Sequence, residues 1–173
     1  MVKKRLSWID IVPSTLTSLL CISQIIVGIY LLSEISQIEI FAYSGVVLYV
    51  FSGVVFGMLP TFEFRKKGGV KKGKSYIHTT KLVDSGIYSV VRHPQFVTFI
   101  VWAIAGMLLF QHWLIVLLGI LVIPLTYTDL LRADKRLIEK FGDDYKHYMY
   151  RVPRANFLLG MIRVLRKKRK KSR

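Results

Sequence analysis

The chain has 173 residues, of which 53% are hydrophobic, and yet its formal net charge is +16. Soluble domains rarely combine these two values, because evenly mixed apolar and basic residues would suit neither water nor lipid. The two kinds of residue must therefore be segregated along the chain. Its single cysteine, Cys21, excludes an intrachain disulfide and cysteine-rich metal motifs, and we expect no metal site.

Two long uncharged stretches stand at the beginning of the chain. Residues 11–33 and residues 40–62 contain no charged side chain. Each stretch exceeds the roughly 20 residues that a helix needs to cross a hydrocarbon core. We therefore predict an N-terminal region of two membrane spans within residues 1–62.

The next apolar stretch, residues 96–128, is interrupted by Gln111 and His112. One continuous helix through both residues would be far longer than a hydrocarbon core about 30 Å thick. A helical hairpin of residues 96–110 and 113–128 is the simplest solution. The fold class predicted is all-α, a polytopic integral membrane protein with about four transmembrane helices and a cytoplasmic amphipathic C-terminal helix.

The positive charges fall into three segments of the chain. Three Lys and Arg residues precede the first span, eight lie between residues 63 and 93, and fifteen follow residue 129. Because cytoplasmic segments are enriched in Lys and Arg, we predict that both termini and the loop at 63–95 are cytoplasmic. We expect the ordered part to end at Arg154, and the basic tail, residues 155–173, to contact anionic lipid headgroups rather than nucleic acid.

The segment before the hairpin could bind an anion. Arg92 and His93 directly precede a helix that we predict to start at Pro94 or Gln95. Free N–H groups and the positive end of the helix dipole, together with the arginine, suit a carboxylate or a phosphate. His93 could donate a hydrogen bond or act as a general base. The same pair could instead contact lipid phosphates at the interface.

After the fourth span, residues 130–150 have the pattern of an amphipathic helix. Gly142 is a good helix stop, and Asp143 is expected to cap a second short helix with Tyr145 and Tyr148 on one face. This region could fold back over the segment that contains Arg92 and close a pocket.

Two blocks of this sequence resemble one family. LVDSGIYSVVRHPQF, residues 82–96, resembles the LVxxGPYxxVRHPxY signature of the isoprenylcysteine carboxyl methyltransferases, to which phospholipid methyltransferases are related. FGDDYKHYMYRVPR, residues 141–154, resembles the FGxxYxxYxxRVPR block of the same family. The resemblance extends over residues 80–154, in the right order and with a helical hairpin between the blocks.

The resemblance implies a multi-span enzyme that binds S-adenosylmethionine on the cytoplasmic side of the membrane. Its acceptor would be an amphipathic small molecule or a prenylated substrate that enters from the lipid bilayer. Residues 63–95 would be a basic loop with the cofactor motif, and 96–154 the hairpin with a cofactor-closing helix. The cofactor-binding positions carried over are Thr80, Lys81, Leu82, Val83, Tyr88, His93, Pro94, Gln95 and Phe96. The oligomeric state is not predicted.

The chain departs from the family pattern at several positions near the cofactor motif. Thr80 stands where the family usually has a histidine, although His78 is two residues away. Ile87 replaces a proline, and Phe96 replaces a tyrosine.

The helix before the second block departs further. Aligned backward from the FG pair, Asp129 stands where the family has an arginine, and Ala133 and Asp134 stand where it has two glutamates. Asp134 keeps the negative charge and is the predicted cofactor-binding acid. Arg132 could replace the missing arginine from the neighbouring turn, and with Arg92 it is the predicted catalytic pair.

Two other functions remain open on the sequence. A sterol-reductase-like enzyme would share an RHPxY-like block and an FGxxYxxY-like block but would use NADPH. A non-catalytic membrane protein could be built on the same scaffold, in agreement with the lost arginine and glutamate.

Overall fold

A computed structural model describes residues 8–33, 37–69 and 79–171, and the regular secondary structure in these ranges is helical throughout. The middle of the basic loop and His78 lie outside these ranges. The helices are α1 (Trp8–Tyr30), α2 (Glu39–Ser52), α3 (Leu59–Lys67), α4 (Pro94–Phe110), α5 (Trp113–Phe141), α6 (Asp143–Arg151) and α7 (Phe157–Lys171). A π-helical turn, Gly53–Met58, joins α2 to α3, and a 3-10 turn covers Gly86–Ser89. The predicted all-helical class is confirmed.

Two helices in the described ranges are long and apolar enough to cross a membrane, judged by length and composition. One is Glu39–Lys67, which combines α2, the π-helical turn and α3 in 29 residues, and the other is α5, also 29 residues. The described apolar part of α1, Thr15–Tyr30, and helix α4 are shorter. The four-span topology therefore stays a prediction. The fourth predicted span and the amphipathic stretch after it are one uninterrupted helix.

The break predicted at Gln111 and His112 is the observed connection between α4 and α5. Gln111 has a φ of 50°, a left-handed conformation that residues other than glycine rarely adopt. Its side-chain amide donates to the Ile38 carbonyl and accepts from the Ile38 N–H, both at 3.0 Å. Gln37 Nε2 also donates to the carbonyl of Leu109 at 2.9 Å. These bonds hold the turn against the segment that precedes α2.

The chain divides into two compact units, the first made of residues 1–52 and 98–134 and the second of residues 53–97 and 135–173. The first unit packs α1, α2, α4 and most of α5 around apolar side chains. Its buried cluster and the partly buried residues against it are Cys21, Ala103, Val122, Leu20 and Phe99.

A buried amide connects three helices of the first unit. Gln24 of α1 is 3% exposed, and its Nε2 donates to the carbonyls of Ala103 in α4 at 3.0 Å and Ile115 in α5 at 3.1 Å. Gly106 and Gly119 make room for it, because a Cβ at either position would lie 2.8 Å from the Gln24 side chain. Interhelical hydrogen bonds of this kind stabilise helix packing in an apolar environment.

The second unit is built around two tyrosines of α6. Tyr145 is 1% exposed and Tyr148 is 2% exposed. The cluster around them consists of Val152, Leu82, Leu137, Ile138, Phe141 and Met149. The prediction that both tyrosines share one face of a short helix is therefore confirmed, and that face is buried.

The predicted cap of α6 is wrong. The residue before α6 is Gly142, with a φ of 60° and no side-chain cap, and Asp143 lies inside the first turn of the helix. There its carboxylate accepts a hydrogen bond from Lys146 Nζ at 2.8 Å, which lowers the pKa of Asp143. Because Gly142 turns the chain in a single residue, α6 starts one residue earlier than a capping aspartate would allow.

The expectation that order ends at Arg154 is also wrong, because α7 follows at Phe157–Lys171. The Phe157 ring packs edge-on against Phe56 with centroids 4.9 Å apart. Gly160 is buried directly against the carbonyl of Val90. The apolar residues at the start of this segment thus form a helix that packs on the unit, although the composition of the tail is basic.

Replacing Gln24 by alanine should lower the stability of the first unit. The change removes two buried hydrogen bonds and leaves a void between α4 and α5, a loss of about 1–2 kcal/mol. The measurement is the thermal midpoint in detergent by tryptophan fluorescence. Ile22→Ala is the matched control, since Ile22 is on the same helix and is 52% exposed. An equal shift in both variants would contradict the role of the amide.

Candidate functional site

The beginning of the motif segment is tied to the end of α3. The Thr79 hydroxyl donates to the Gly68 carbonyl at 2.5 Å, and the N–H groups of Thr80 and Lys81 donate to the same carbonyl at 2.9 and 3.2 Å. Thr80 and Lys81 are exposed, whereas Thr79 is buried. The main chain at the first two predicted cofactor positions, Thr80 and Lys81, is therefore anchored to the end of α3.

A carboxylate of α3 organises the turn that follows. Glu63 Oε2 accepts a hydrogen bond from the N–H of Ile87 at 3.1 Å, at the start of the 3-10 turn. Gly86 has a φ of 63°, and a Cβ there would overlap the Glu63 carboxylate. The glycine of the motif is therefore required for its backbone conformation and for the space that Glu63 occupies.

Tyr88 lies in the interior of the second unit. Its ring meets Phe64 edge-on with centroids 5.0 Å apart, and its hydroxyl donates to the Pro60 carbonyl at 3.5 Å. Its own carbonyl accepts the hydroxyl of Tyr148 at 2.6 Å. Tyr88 thus connects α3 to α6.

Main-chain hydrogen bonds join the two motif blocks. The N–H of Arg92 donates to the carbonyl of Pro153 at 3.0 Å, and the N–H of His93 donates to the carbonyl of Arg154 at 3.1 Å. The expected folding of the second block over the first is therefore confirmed. Residues about 60 positions apart in sequence are therefore in direct contact.

The side chains at this junction are buried and polar. Arg92 is 8% exposed, and its guanidinium carbon lies 5.9 Å from the centroid of the Tyr145 ring. His93 is 6% exposed, and its Nε2 is 3.2 Å from the hydroxyl of Tyr145. The ring of Phe96 meets His93 edge-on with centroids 5.7 Å apart. A cation, an imidazole and two aromatic rings are therefore brought together.

Helix α4 starts at this junction. It begins at Pro94, as predicted, and the His93 carbonyl accepts from the N–H of Val97 at 3.3 Å. Proline suits the first position of a helix, where its missing N–H costs little. Gln95, half-buried in the first turn, donates from Nε2 to the Thr61 hydroxyl at 3.2 Å.

The remaining predicted residues divide between the two units. Leu82 packs on the tyrosine cluster of the second unit, and Val83 is buried. Asp134, 3% exposed, and Arg132, with a side chain 38% exposed, belong to the first unit. Arg132 Nη1 lies 4.0 Å from Oδ1 of the buried Asp129. Because Asp129 stands where the family has an arginine, the positive charge of Arg132 lies one helical turn from that position.

A cavity of about 480 Å³ lies in the second unit between the motif segment, α6 and α7. It has the size of many small-molecule sites. The residues around it are Asp84, Ser89, Tyr148, Arg151, Val152, Arg163, Val164 and Lys167. None of the predicted cofactor residues lines it. Its three cations outweigh its one carboxylate, so an anionic group suits this cavity.

The sequence does not identify Glu63 as a site residue, and it predicts only a shared helix face for Tyr145 and Tyr148. The sequence feature that could have drawn attention to Glu63 is that it is the first charged residue after a long uncharged stretch. Both tyrosines are part of the second motif block, but the motif does not predict which residues they contact. Their contacts with His93 and with Tyr88 join residues distant in sequence.

Comparison with known proteins gives one family. Residues 74–139 match the model of the isoprenylcysteine carboxyl methyltransferase (ICMT) family. A protein-S-isoprenylcysteine O-methyltransferase of Schizosaccharomyces pombe is 32% identical over 98 residues, which cover 51% of this chain and 42% of that protein. Its namesake in Saccharomyces cerevisiae is 34% identical over 89 residues, which cover 46% of this chain and 37% of that protein. No solved structure matches the chain significantly.

The matched residues 74–139 include the first motif block, helix α4 and most of α5. Over this part of its length the chain is similar to the isoprenylcysteine carboxyl methyltransferases, and its two long apolar helices support a membrane protein. The recognition from the two sequence blocks is therefore confirmed. The alignments cover less than half the length of the two yeast relatives.

Gly86→Ala should destabilise the protein more than Gly142→Ala. Both glycines have a positive φ, so an alanine at either position costs backbone strain of about 1–3 kcal/mol. Only the change at Gly86 also displaces the Glu63 carboxylate from the Ile87 N–H, which adds about 1–2 kcal/mol. Thermal midpoints in detergent provide the comparison. Equal losses in the two variants would mean that Glu63 does not hold the turn.

Tyr148→Phe should lower the stability by about 1 kcal/mol, because it removes the buried hydroxyl that donates to the Tyr88 carbonyl. Tyr150→Phe, on the same helix, is the control, since Tyr150 is 85% exposed. Denaturant or thermal unfolding of both variants decides the matter. A loss in Tyr150→Phe as large as that in Tyr148→Phe would remove the hydrogen bond as the cause.

Proposed function

We propose that this chain transfers the methyl group of S-adenosylmethionine to the carboxylate of a prenylated cysteine or a similar lipid-bearing acid. The observation behind the proposal is the junction of the two motif blocks, where Arg92, His93 and Tyr145 lie together. The curated relatives are named protein-S-isoprenylcysteine O-methyltransferases, which supports this reaction class.

The donor set of the junction fits S-adenosylmethionine chemically. This molecule has a carboxylate, which a buried guanidinium such as that of Arg92 can pair with. Its cationic sulfur suits aromatic faces, which His93, Phe96 and Tyr145 provide. The segment Thr80–Val83, fixed at its start by Gly68, would add main-chain contacts.

The reaction needs positioning more than covalent help. When bound, S-adenosylmethionine would supply an electrophilic methyl group for the acceptor's carboxylate, with S-adenosylhomocysteine as the leaving group. The chain's part is to orient both molecules and to exclude water. The anion of the acceptor is already a nucleophile, so His93 is not required to remove a proton from it. Its bond with Tyr145 fixes the ring beside Arg92.

Asp134 and Arg132 have separate parts in the proposal. Asp134 is the acid that we assign to the cofactor's positive groups, and Arg132 is assigned to the acceptor's carboxylate. Asp134 stands at one of the family's two acidic positions, whereas Arg132 would replace, from the neighbouring turn, the arginine that is missing at Asp129. The pairing of Arg132 with Asp129 keeps its guanidinium near the turn that the family's arginine would occupy.

A prenylated acceptor is consistent with a membrane location of the enzyme. A prenyl group is soluble in the bilayer, and α5 and the helix Glu39–Lys67 are apolar enough to lie in it. We propose a multi-pass arrangement with both termini and the motif loop in the cytoplasm, from the segregation of Lys and Arg in the sequence. The sterol-reductase and non-catalytic alternatives are not favoured by the relatives' names.

The first test is binding of S-adenosylhomocysteine to the detergent-purified chain by calorimetric titration, with NADPH as the comparison ligand. Saturable binding of S-adenosylhomocysteine alone is expected. Transfer of a labelled methyl group to an S-prenylated N-acetylcysteine then tests the acceptor. Binding of NADPH alone would indicate the reductase, and binding of neither would indicate the non-catalytic scaffold.

His93→Ala should weaken S-adenosylhomocysteine binding about tenfold or more, since it removes the imidazole and frees Tyr145 to turn. His147→Ala is the matched control on α6, where His147 is exposed. Titration gives both dissociation constants, and the thermal midpoint shows that each variant is folded. An unchanged dissociation constant in folded His93→Ala would exclude His93 from the site.

A further inference from the structure

Helix α7 has an apolar side that faces away from its own unit. Phe157 and Gly160 face the unit, against Phe56 and the Val90 carbonyl. Four apolar residues at helical spacing lie on another side and are 40–71% exposed. This exposed row consists of Leu158, Met161, Ile162 and Leu165.

The same helix is strongly basic. Its sequence, FLLGMIRVLRKKRKK, contains seven Lys and Arg residues and no acidic residue. Arg163, Arg166, Lys167, Arg169 and Lys170 are exposed. An apolar row with cations beside it is the pattern of a helix that lies in the surface of an anionic bilayer, where long basic side chains reach the phosphates.

We propose that α7 lies in the interface of an anionic membrane leaflet, with the exposed row among the acyl chains and Arg166, Arg169 and Lys170 against lipid phosphates. A second copy of this chain is a poorer occupant, because two α7 helices would bring many positive charges together. An acidic protein would match the charge, but a leaflet is already adjacent to a membrane protein. The proposal does not depend on the proposed methyl transfer.

The test uses an environment-sensitive fluorophore on single cysteines of the full chain. Met161→Cys labels the exposed row, and Lys167→Cys labels the cavity side of the same helix. The parent chain, with its buried Cys21, shows the background labelling. Each protein is reconstituted in vesicles of phosphatidylcholine alone or of equimolar phosphatidylcholine and phosphatidylglycerol, with and without nitroxide-bearing lipid.

We expect the label at position 161 to shift to the blue and to be quenched severalfold by nitroxides high on the acyl chain in anionic vesicles. Quenching should fall in neutral vesicles and at high salt, because the attraction is electrostatic. The label at position 167 should be quenched much less. The triple variant Arg166→Glu, Arg169→Glu, Lys170→Glu should lose the quenching at position 161 in anionic vesicles.

Three results would overturn the proposal. Equal quenching in neutral and anionic vesicles would remove the anionic lipid as the occupant. A blue shift without lipid quenching that grows with the protein-to-lipid ratio would identify a second copy. A shift that appears only after an acidic polypeptide is added would identify a protein partner. Binding of S-adenosylhomocysteine by the same samples shows separately whether the proposed function holds.

Discussion

The second unit depends on two main-chain hydrogen bonds between residues far apart in the sequence, from the N–H groups of Arg92 and His93 to the carbonyls of Pro153 and Arg154. Main-chain bonds fix position without regard to side chain, so they set the register in which the two motif blocks meet. Tyr145 and Tyr148 then occupy their places against His93 and the Tyr88 carbonyl. The two motif blocks therefore form the two sides of one interface.

This interface explains how a charged group can stay buried close to apolar helices. A guanidinium removed from water is costly unless other groups interact with it. The ring of Tyr145 lies near Arg92, and the helix start at Pro94 keeps polar backbone groups nearby. The proposed function places the carboxylate of a methyl donor beside this guanidinium.

Local features of the fold could be predicted from the sequence. The hairpin break at Gln111, the start of α4 at Pro94 and the shared face of Tyr145 and Tyr148 follow from helix length, proline chemistry and helical periodicity. Glu63 could not be assigned, because its partner is the N–H of Ile87 across a loop. Composition made the last segment look like a plain tail, because its basic residues outnumber those, such as Phe157 and Gly160, that pack on the second unit.

Gln24 imposes an order on the assembly of the first unit. Its two acceptors lie 79 and 91 residues further along the chain. During synthesis, α1 is complete long before α4 and α5 exist, so the amide must spend that interval with water, with its own backbone or with another protein. Until α4 and α5 have been synthesised, the polar side chain of Gln24 therefore makes α1 less stable in an apolar environment. Helix α1 would therefore reach its final packing only after α5 has been synthesised.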